Sequence, residues 1–248
     1  MEGNLRNARS QRIFGSQHPA RLFTILEMAL FENLQLWLDP KLRDGPEAMA
    51  ADEWLLAKMQ LPTLRVYRWA GAWASIGYFG KFSQVEDQIV GVNWVRRWTG
   101  GGVVDHRFDW TYSLIVPDGF MEHFRRAAES YRAIHAALSQ ALLDDNVDAR
   151  MQAVRSEMSH DLCFESPVVH DLVDSHGRKL AGAGQRRTRD GLLHQGSVAI
   201  SSNKPERAWA LARHLSNNQI EIFPELPSHD LEMLVERRYL PLTPSVQV

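Results

Sequence analysis

The chain has 248 residues, 44% of them hydrophobic and 23% charged, with a formal net charge of -2. This length can bury a core that folds without disulfides or metals, and so small a charge gives no bulk electrostatic case for nucleic acid or a membrane surface. The single cysteine, Cys163, excludes an intramolecular disulfide and suits a reducing, cytoplasmic compartment.

Residues 1–33 read as an N-terminal extension of unknown role. Arg6, Arg9, Arg12 and Arg21 precede an apolar run from Leu22 to Leu38, but Glu27, Glu32 and Asp39 interrupt it and no small-residue cleavage site follows. Neither export nor a membrane span is therefore expected, and the extension reads either as an amphipathic extra helix or as the product of a misplaced start codon. Residues 34–248 read as one domain. Leu34–Leu38 predicts a strand, and Gly45-Pro46 opens a helix through Met59. Leu64–Trp69 and Ala72–Tyr78 are short β-rich runs placed to form a hairpin. Trp94–Arg97 predicts a strand, Gly100-Gly101-Gly102 a tight loop, and the alternation from Trp110 to Val116 another strand.

Asp118 is placed to cap a helix over 120–143, where Phe124, Ala128, Tyr131, Ile134, Leu138 and Leu142 recur at helical spacing. Residues 144–162 are polar and unpatterned, which predicts a loop. Val168–Val173 and Lys179–Ala183 predict strands across a Ser175-His176-Gly177 turn. Leu192–Ile200 predicts a further strand, with helices over 204–214 and 228–237. The fold class expected is α+β: a mixed, largely antiparallel sheet with packed helices. No oligomerisation stripe stands out, so a monomer is the expectation.

The sequence has no GxxxxGK[ST] phosphate loop, no HExxH and no paired cysteines, so neither a Walker site nor a zinc site is predicted. Three segments could carry chemistry. In the first, Arg96 and Arg97 lead through Thr99 into Gly100, Gly101 and Gly102, with His106 close behind. Consecutive glycines let backbone N–H groups approach an oxygen; the same residues also suit an exposed turn. In the second, Lys179 stands among small residues, Gly182, Ala183 and Gly184, followed by Gln185. That leaves room for a ligand beside an ammonium, and equally describes a solvated turn. The third is Cys163-Phe164-Glu165-Ser166-Pro167, whose cysteine is either a buried packing residue or a nucleophile.

Together these segments resemble the biotin/lipoate protein ligase superfamily, and within it the cysteine-dependent lipoyl/octanoyl transferases and lipoate-protein ligases. The resemblance runs from about Ala48 to Ser197. AMAADEWLL at 48–56 is similar to the family's opening helix, and AWASIGY at 72–78 to the strand that follows. RRWTGGGVVDH at 96–106 is similar to the loop lining the acyl pocket, and Thr111-Tyr112-Ser113 to the next strand. GRKLAGAGQRR at 177–187 is similar to the segment carrying the family's lysine, and the run containing His194, Gly196 and Ser197 to the H-[HQ]-G-[ST] strand. Ala183 and Gly184 depart from the usual serine or asparagine and alanine.

The resemblance implies a single acyl-transferase or ligase catalytic domain over residues 34–248. It implies a pocket for a linear acyl chain, with Lys179 against the acyl oxygen and Arg96, Arg97, Thr99–Gly102, His106, Tyr112, Gly182–Gln185, His194 and Gly196 around the substrate. The C-F-x-x-P pattern at Cys163 implies the transferase branch: an octanoyl or lipoyl group leaves acyl carrier protein, rests on Cys163, and passes to a lysine of a lipoyl domain of a 2-oxo acid dehydrogenase or of glycine cleavage H protein. That branch implies no cofactor. The ligase branch implies ATP and magnesium with a bound acyl-adenylate, and a non-catalytic acyl-binding homologue is the third alternative.

Overall fold

A computed structural model describes residues 29–124, 126–153 and 168–243. Its frame is an eight-stranded sheet in the order β11-β1-β2-β6-β10-β9-β8-β7, beside a three-stranded sheet in the order β4-β3-β5. In chain order the strands are β1 Phe31–Arg43, β2 Thr63–Trp69, β3 Trp73–Ile76, β4 Asn93–Arg96, β5 Val103–Asp105, β6 Trp110–Pro117, β7 Arg150–Met151, β8 Leu172–Val173, β9 Lys179–Thr188, β10 Gly191–Val198 and β11 Ser216–Glu221. The helices are α1 Gly45–Lys58, α2 Ala127–Asp144, α3 Pro205–Leu215 and α4 Ser228–Leu234, the last continuing into a π turn over Val235–Tyr239. In the large sheet β1 runs parallel to β11 and β2, and the other pairings are antiparallel, so the expected fold class holds.

Alternation decides which side chains meet which layer. Leu34, Leu36, Leu64, Val66, Tyr112, Leu114, Val116 and Leu192 bury one face of the large sheet against α2 and α3. The intervening Trp37, Ile115 and Leu193 meet Leu55 and Leu56 of α1 on the other face. Helix α1 is capped by Asp44, whose side chain accepts from Glu47 N–H at 2.8 Å, with Pro46 in the first turn. It lies between the two sheets, with Met49 packed beside Tyr67 of β2 and Trp73 of β3.

The chain departs from its sequence expectations at definite places. Leu64–Trp69 and Ala72–Tyr78 do not form a hairpin. β2 lies between β1 and β6 with both faces buried, whereas β3 pairs parallel with β4 and antiparallel with β5. Gly71, at φ +89, turns the chain from one sheet to the other. The strand expected over Leu34–Leu38 extends to Arg43, because Arg43 and Arg65 are buried against Asp39 at 2.7 and 2.8 Å. Helix α2 starts at Ala127; residues 118–120 and 122–124 form short 3-10 turns, and Asp118 makes no side-chain cap. Arg150–Met151 pairs with β8 where a loop was expected. β5 and β11 were not foreseen: each is short, and β11 is polar. Cys163, and the part of the 144–162 expectation beyond Gln152 and Ala153, lie outside the described residues, as do residues 1–28.

Candidate active site

The glycine loop is held by the arginines that precede it. Arg97, nearly buried, donates from Nη2 to Gly102 O at 2.7 Å and Gly100 O at 3.2 Å, and from Nη1 to Ser75 Oγ at 2.9 Å. Arg96 Nη1 donates to the carbonyls of Gly77, Tyr78 and Gly80 at 3.2, 3.2 and 2.6 Å. Both guanidinium groups thus engage backbone carbonyls, whereas the resemblance placed both arginines around the substrate. The loop lies between Gly77, which follows β3, and Gly184 of β9. A Cβ on Gly77 would stand 1.9 Å from Gly101 O, and one on Gly184 would stand 2.3 Å from Gly100 O. Gly101 itself takes φ +97, a conformation that favours glycine.

Thr99 ties the loop to the floor. Its hydroxyl donates to Gln195 Oε1 at 2.7 Å, and Gln195 Nε2 donates to Asp52 Oδ2 at 2.7 Å. The wholly buried Asp52 also accepts from Ser113 Oγ at 2.5 Å and Arg65 Nη1 at 2.6 Å. His106 sits on the small-sheet side, stacked on Trp69 at 4.0 Å. Its Nδ1–H donates to Asp109 Oδ2 at 2.7 Å, which leaves Nε2 to accept from Ser75 Oγ at 2.8 Å. Ser75, Arg97 and His106 line, with Met49, Tyr67, Thr111, Gly182–Gly184 and Gly196, a cavity of about 30 Å³.

Lys179 begins β9. Its Nζ lies 2.8 Å from Asp171 Oδ2, with the lysine side chain 11% exposed and the carboxylate fully buried. The lysine stem folds over Gly182, where a Cβ would stand 2.7 Å from Cε and 2.9 Å from Nζ. Gly182 therefore carries no side chain because the lysine occupies that space. Asp171 Oδ2 also accepts the Val168 N–H at 2.9 Å, and Oδ1 accepts the Tyr131 hydroxyl at 2.5 Å. The Tyr131 oxygen in turn accepts the Ala183 N–H at 2.9 Å. Burial first, then the Asp171 charge, push the Tyr131 phenol far above its ordinary range, so it stays a donor to Asp171.

A second buried set adjoins it. Arg187, always a donor, reaches Gln185 Oε1 at 2.9 Å, so Gln185 Nε2 donates to His194 Nδ1 at 3.0 Å. His194 Nε2 then faces Tyr112 OH at 3.2 Å, and the Tyr112 ring fills the space a Cβ on Gly196 would need. Burial holds His194 well below its ordinary pKa, with smaller contributions from His135 and Arg187, and lowers His135 from 6.5 to about 4. His135 Nδ1 donates to His170 O at 2.7 Å, while its buried Nε2 has no partner among the described residues. Tyr131 and Gln185 also line an open, largely apolar hollow of about 340 Å³ with Val168, Val169 and His170.

The sequence-predicted residues therefore fall into three groups: the loop with His106, the Lys179–Gly184 run, and Gln185 with His194, Gly196 and Tyr112. Gly182–Gly184 and Gly196 join the first group at one cavity. Asp171, Tyr131, Asp52 and Gln195 were not singled out. Asp171 precedes an apolar pair and Tyr131 falls on the apolar stripe of a helix, so each reads as context. Among the described residues no three His, Cys, Asp or Glu side chains converge on a metal-sized site, and no helix is long and apolar enough to cross a membrane.

The fold is that of the lipoate-protein ligases. A Thermoplasma acidophilum structure described as a lipoate protein ligase superimposes with a TM-score of 0.61 at 19% identity, over 84% of this chain and 94% of that one. A lipoate-protein ligase A solved with ATP gives 0.56 at 17% identity, over 85% and 94%. The chain belongs to the lipoyl protein ligase A/B catalytic domain family, whose sequence model matches residues 44–224. Among curated relatives it is 36% identical over 176 residues to octanoyltransferase LipM of Oceanobacillus iheyensis, covering 65% of this chain and 62% of that protein. It is 34% identical over 167 residues to LipM of Kyrpidia tusciae, covering 63% and 60%, and 32% identical over 168 residues to LipM of Bacillus subtilis, covering 61% and 60%. The matches span about three fifths of these relatives' length.

Proposed function

We propose that the protein transfers an octanoyl group from the thioester of acyl carrier protein, through Cys163, to a lysine of a lipoyl carrier domain. A lipoyl group is the alternative chain, and the acceptor is a lipoyl domain of a 2-oxo acid dehydrogenase or glycine cleavage H protein. The observation that carries this reading is the Lys179–Asp171 pair, set over Gly182, which lines one small cavity together with Arg97 and His106. The relatives named octanoyltransferase favour the transferase branch over the ligase branch.

Two steps balance the chemistry. The Cys163 thiolate attacks the thioester carbonyl, the carrier thiolate leaves with a proton, and an acyl-enzyme remains. The acceptor amine then attacks the acyl-enzyme, restores the Cys163 thiol and forms the amide. Lys179 faces the developing negative charge on the acyl oxygen. No cofactor takes part, and the protein works as a cytoplasmic monomer. Intact mass measurement after incubation with octanoyl acyl carrier protein, without ATP, tests this. The expected result is an octanoyl adduct that hydroxylamine removes and that Cys163→Ala lacks. No adduct, together with ATP-dependent modification of a lipoyl domain by free lipoate, would replace it with the ligase reading.

A further inference from the structure

Beyond Ala181, β9 has no strand partner on its β8 side among the described residues, and side chains of α2 take that place. Ser130 and Tyr131 are consecutive residues of α2. The Ser130 hydroxyl lies 3.1 Å from Gln185 Oε1 and accepts from Arg187 Nη2 at 2.6 Å. Tyr131 takes the Ala183 N–H at 2.9 Å. Three alternate residues of β9, at 183, 185 and 187, are thus secured by one turn of helix. Only Tyr131 also reaches the lysine system, because its proton goes to the carboxylate that holds Lys179.

We infer that Tyr131 is a positioning residue for acyl transfer: by bridging Asp171 and the Ala183 N–H it fixes the Lys179 ammonium over Gly182, against the acyl oxygen. One phenolic oxygen connects the carboxylate that orients Lys179 to the backbone of the strand on which Lys179 rides. Two geometric constraints follow. Asp171 keeps one oxygen on Tyr131 and the other on Lys179, so it cannot rotate without breaking a contact. Ala183 cannot turn its N–H toward the substrate, so its amide orients β9 and takes no part in holding an oxyanion.

This inference rests on the proposed acyl transfer, and its test separates the two. Octanoyl transfer is measured with full-length protein, for wild type, Tyr131→Phe, Asp171→Asn and the double variant, with melting temperatures alongside. Tyr131→Phe keeps the ring and removes only the hydroxyl. It should lower kcat about 10- to 100-fold, the size expected for one lost hydrogen bond to a charged group, with KM within about threefold. The double variant should be no slower than Asp171→Asn alone, because Tyr131 acts through that carboxylate. A wild-type kcat in Tyr131→Phe, or additive losses in the double variant, would overturn the positioning role while leaving acyl transfer standing. A wild-type protein with no transfer at all would overturn both. Should Tyr131→Phe fail to fold, Asp171→Glu in the wild-type background serves instead: it restores both contacts only by moving Nζ, so transfer at the wild-type rate would count against the inference.

Discussion

Gly184 of β9 and Gly100 of the loop touch through backbone alone: a Cβ on Gly184 would stand 2.3 Å from Gly100 O and 2.7 Å from Thr99 Oγ1. Neither obstacle is the far end of a flexible chain. Gly184→Ala should therefore push the loop off the strand and break the Thr99–Gln195 contact. The expected cost is about 1–3 kcal/mol, the range for overpacking a tight site, with loss of transfer. Gly182→Ala meets a different neighbour, the Lys179 stem, which has rotamers to move into. It should melt close to wild type yet lose activity. Urea unfolding and transfer assays on the two variants check the contrast, and equal stability losses would refute it.

Removing the lysine should harm the fold as well as the chemistry. Lys179→Met leaves the buried Asp171 carboxylate without its ammonium. Breaking one side of a buried pair costs about 3–5 kcal/mol. Neutralising both groups in Lys179→Met with Asp171→Asn should recover most of that stability and none of the activity. Denaturant midpoints for the single and double variants give the comparison.

Acid should weaken the fold through His135, whose pKa burial lowers from 6.5 to about 4. Between those values the unfolded chain binds a proton that the folded chain refuses, so stability falls as pH drops through 6.5 and the loss is complete by about pH 4. Above 6.5 neither state is protonated there and the effect vanishes. A shift of this size corresponds to about 3 kcal/mol. Burial depresses His194 in the same direction. Melting temperature against pH should flatten over this window in His135→Gln, whose amide N–H can still reach the His170 carbonyl.

Asp52 joins the loop to the interior, since it accepts from Gln195, Ser113 and Arg65. Asp52→Asn leaves Arg65 paired with Asp39 alone among these acids and turns one acceptor into a donor facing Gln195 Nε2. A stability loss of about 3 kcal/mol is expected from a half-broken buried network, together with weaker acyl transfer. Circular dichroism melts and the intact-mass assay measure both.

What could be read in advance was whatever depends on local pattern. The Trp110–Val116 alternation, the Gly45-Pro46 helix start and the glycine run all mark themselves in a few residues, and the motifs around them placed the family. The β2–β3 hairpin failed because adjacency in sequence favours pairing, while Arg65 and Tyr67 needed α1 above them and so placed β2 mid-sheet. Asp171 and Tyr131 escaped for a related reason. Forty residues separate them, and only the meeting of α2 with β9 makes them one system. Lys179 was found through its small neighbours, which have different reasons to be small: the lysine stem lies over Gly182, and the glycine loop presses on Gly184.

The cavity lined by Gly182–Gly184, Arg97 and His106 measures about 30 Å³, room for little more than one water molecule, so under the proposed function an eight-carbon chain would fit there only if the walls parted. The glycine loop meets Gly77 beside the small sheet main chain to main chain, and meets Gly184 of the large sheet through the Gly100 carbonyl and the short Thr99 side chain. Contacts made of glycines and one threonine leave few rotamers to drag past one another. Under the proposed function, admission of the acyl group there would be a parting of loop from strand, resisted by the buried Ala74, Ile76, Trp94 and Val103 cluster of the small sheet.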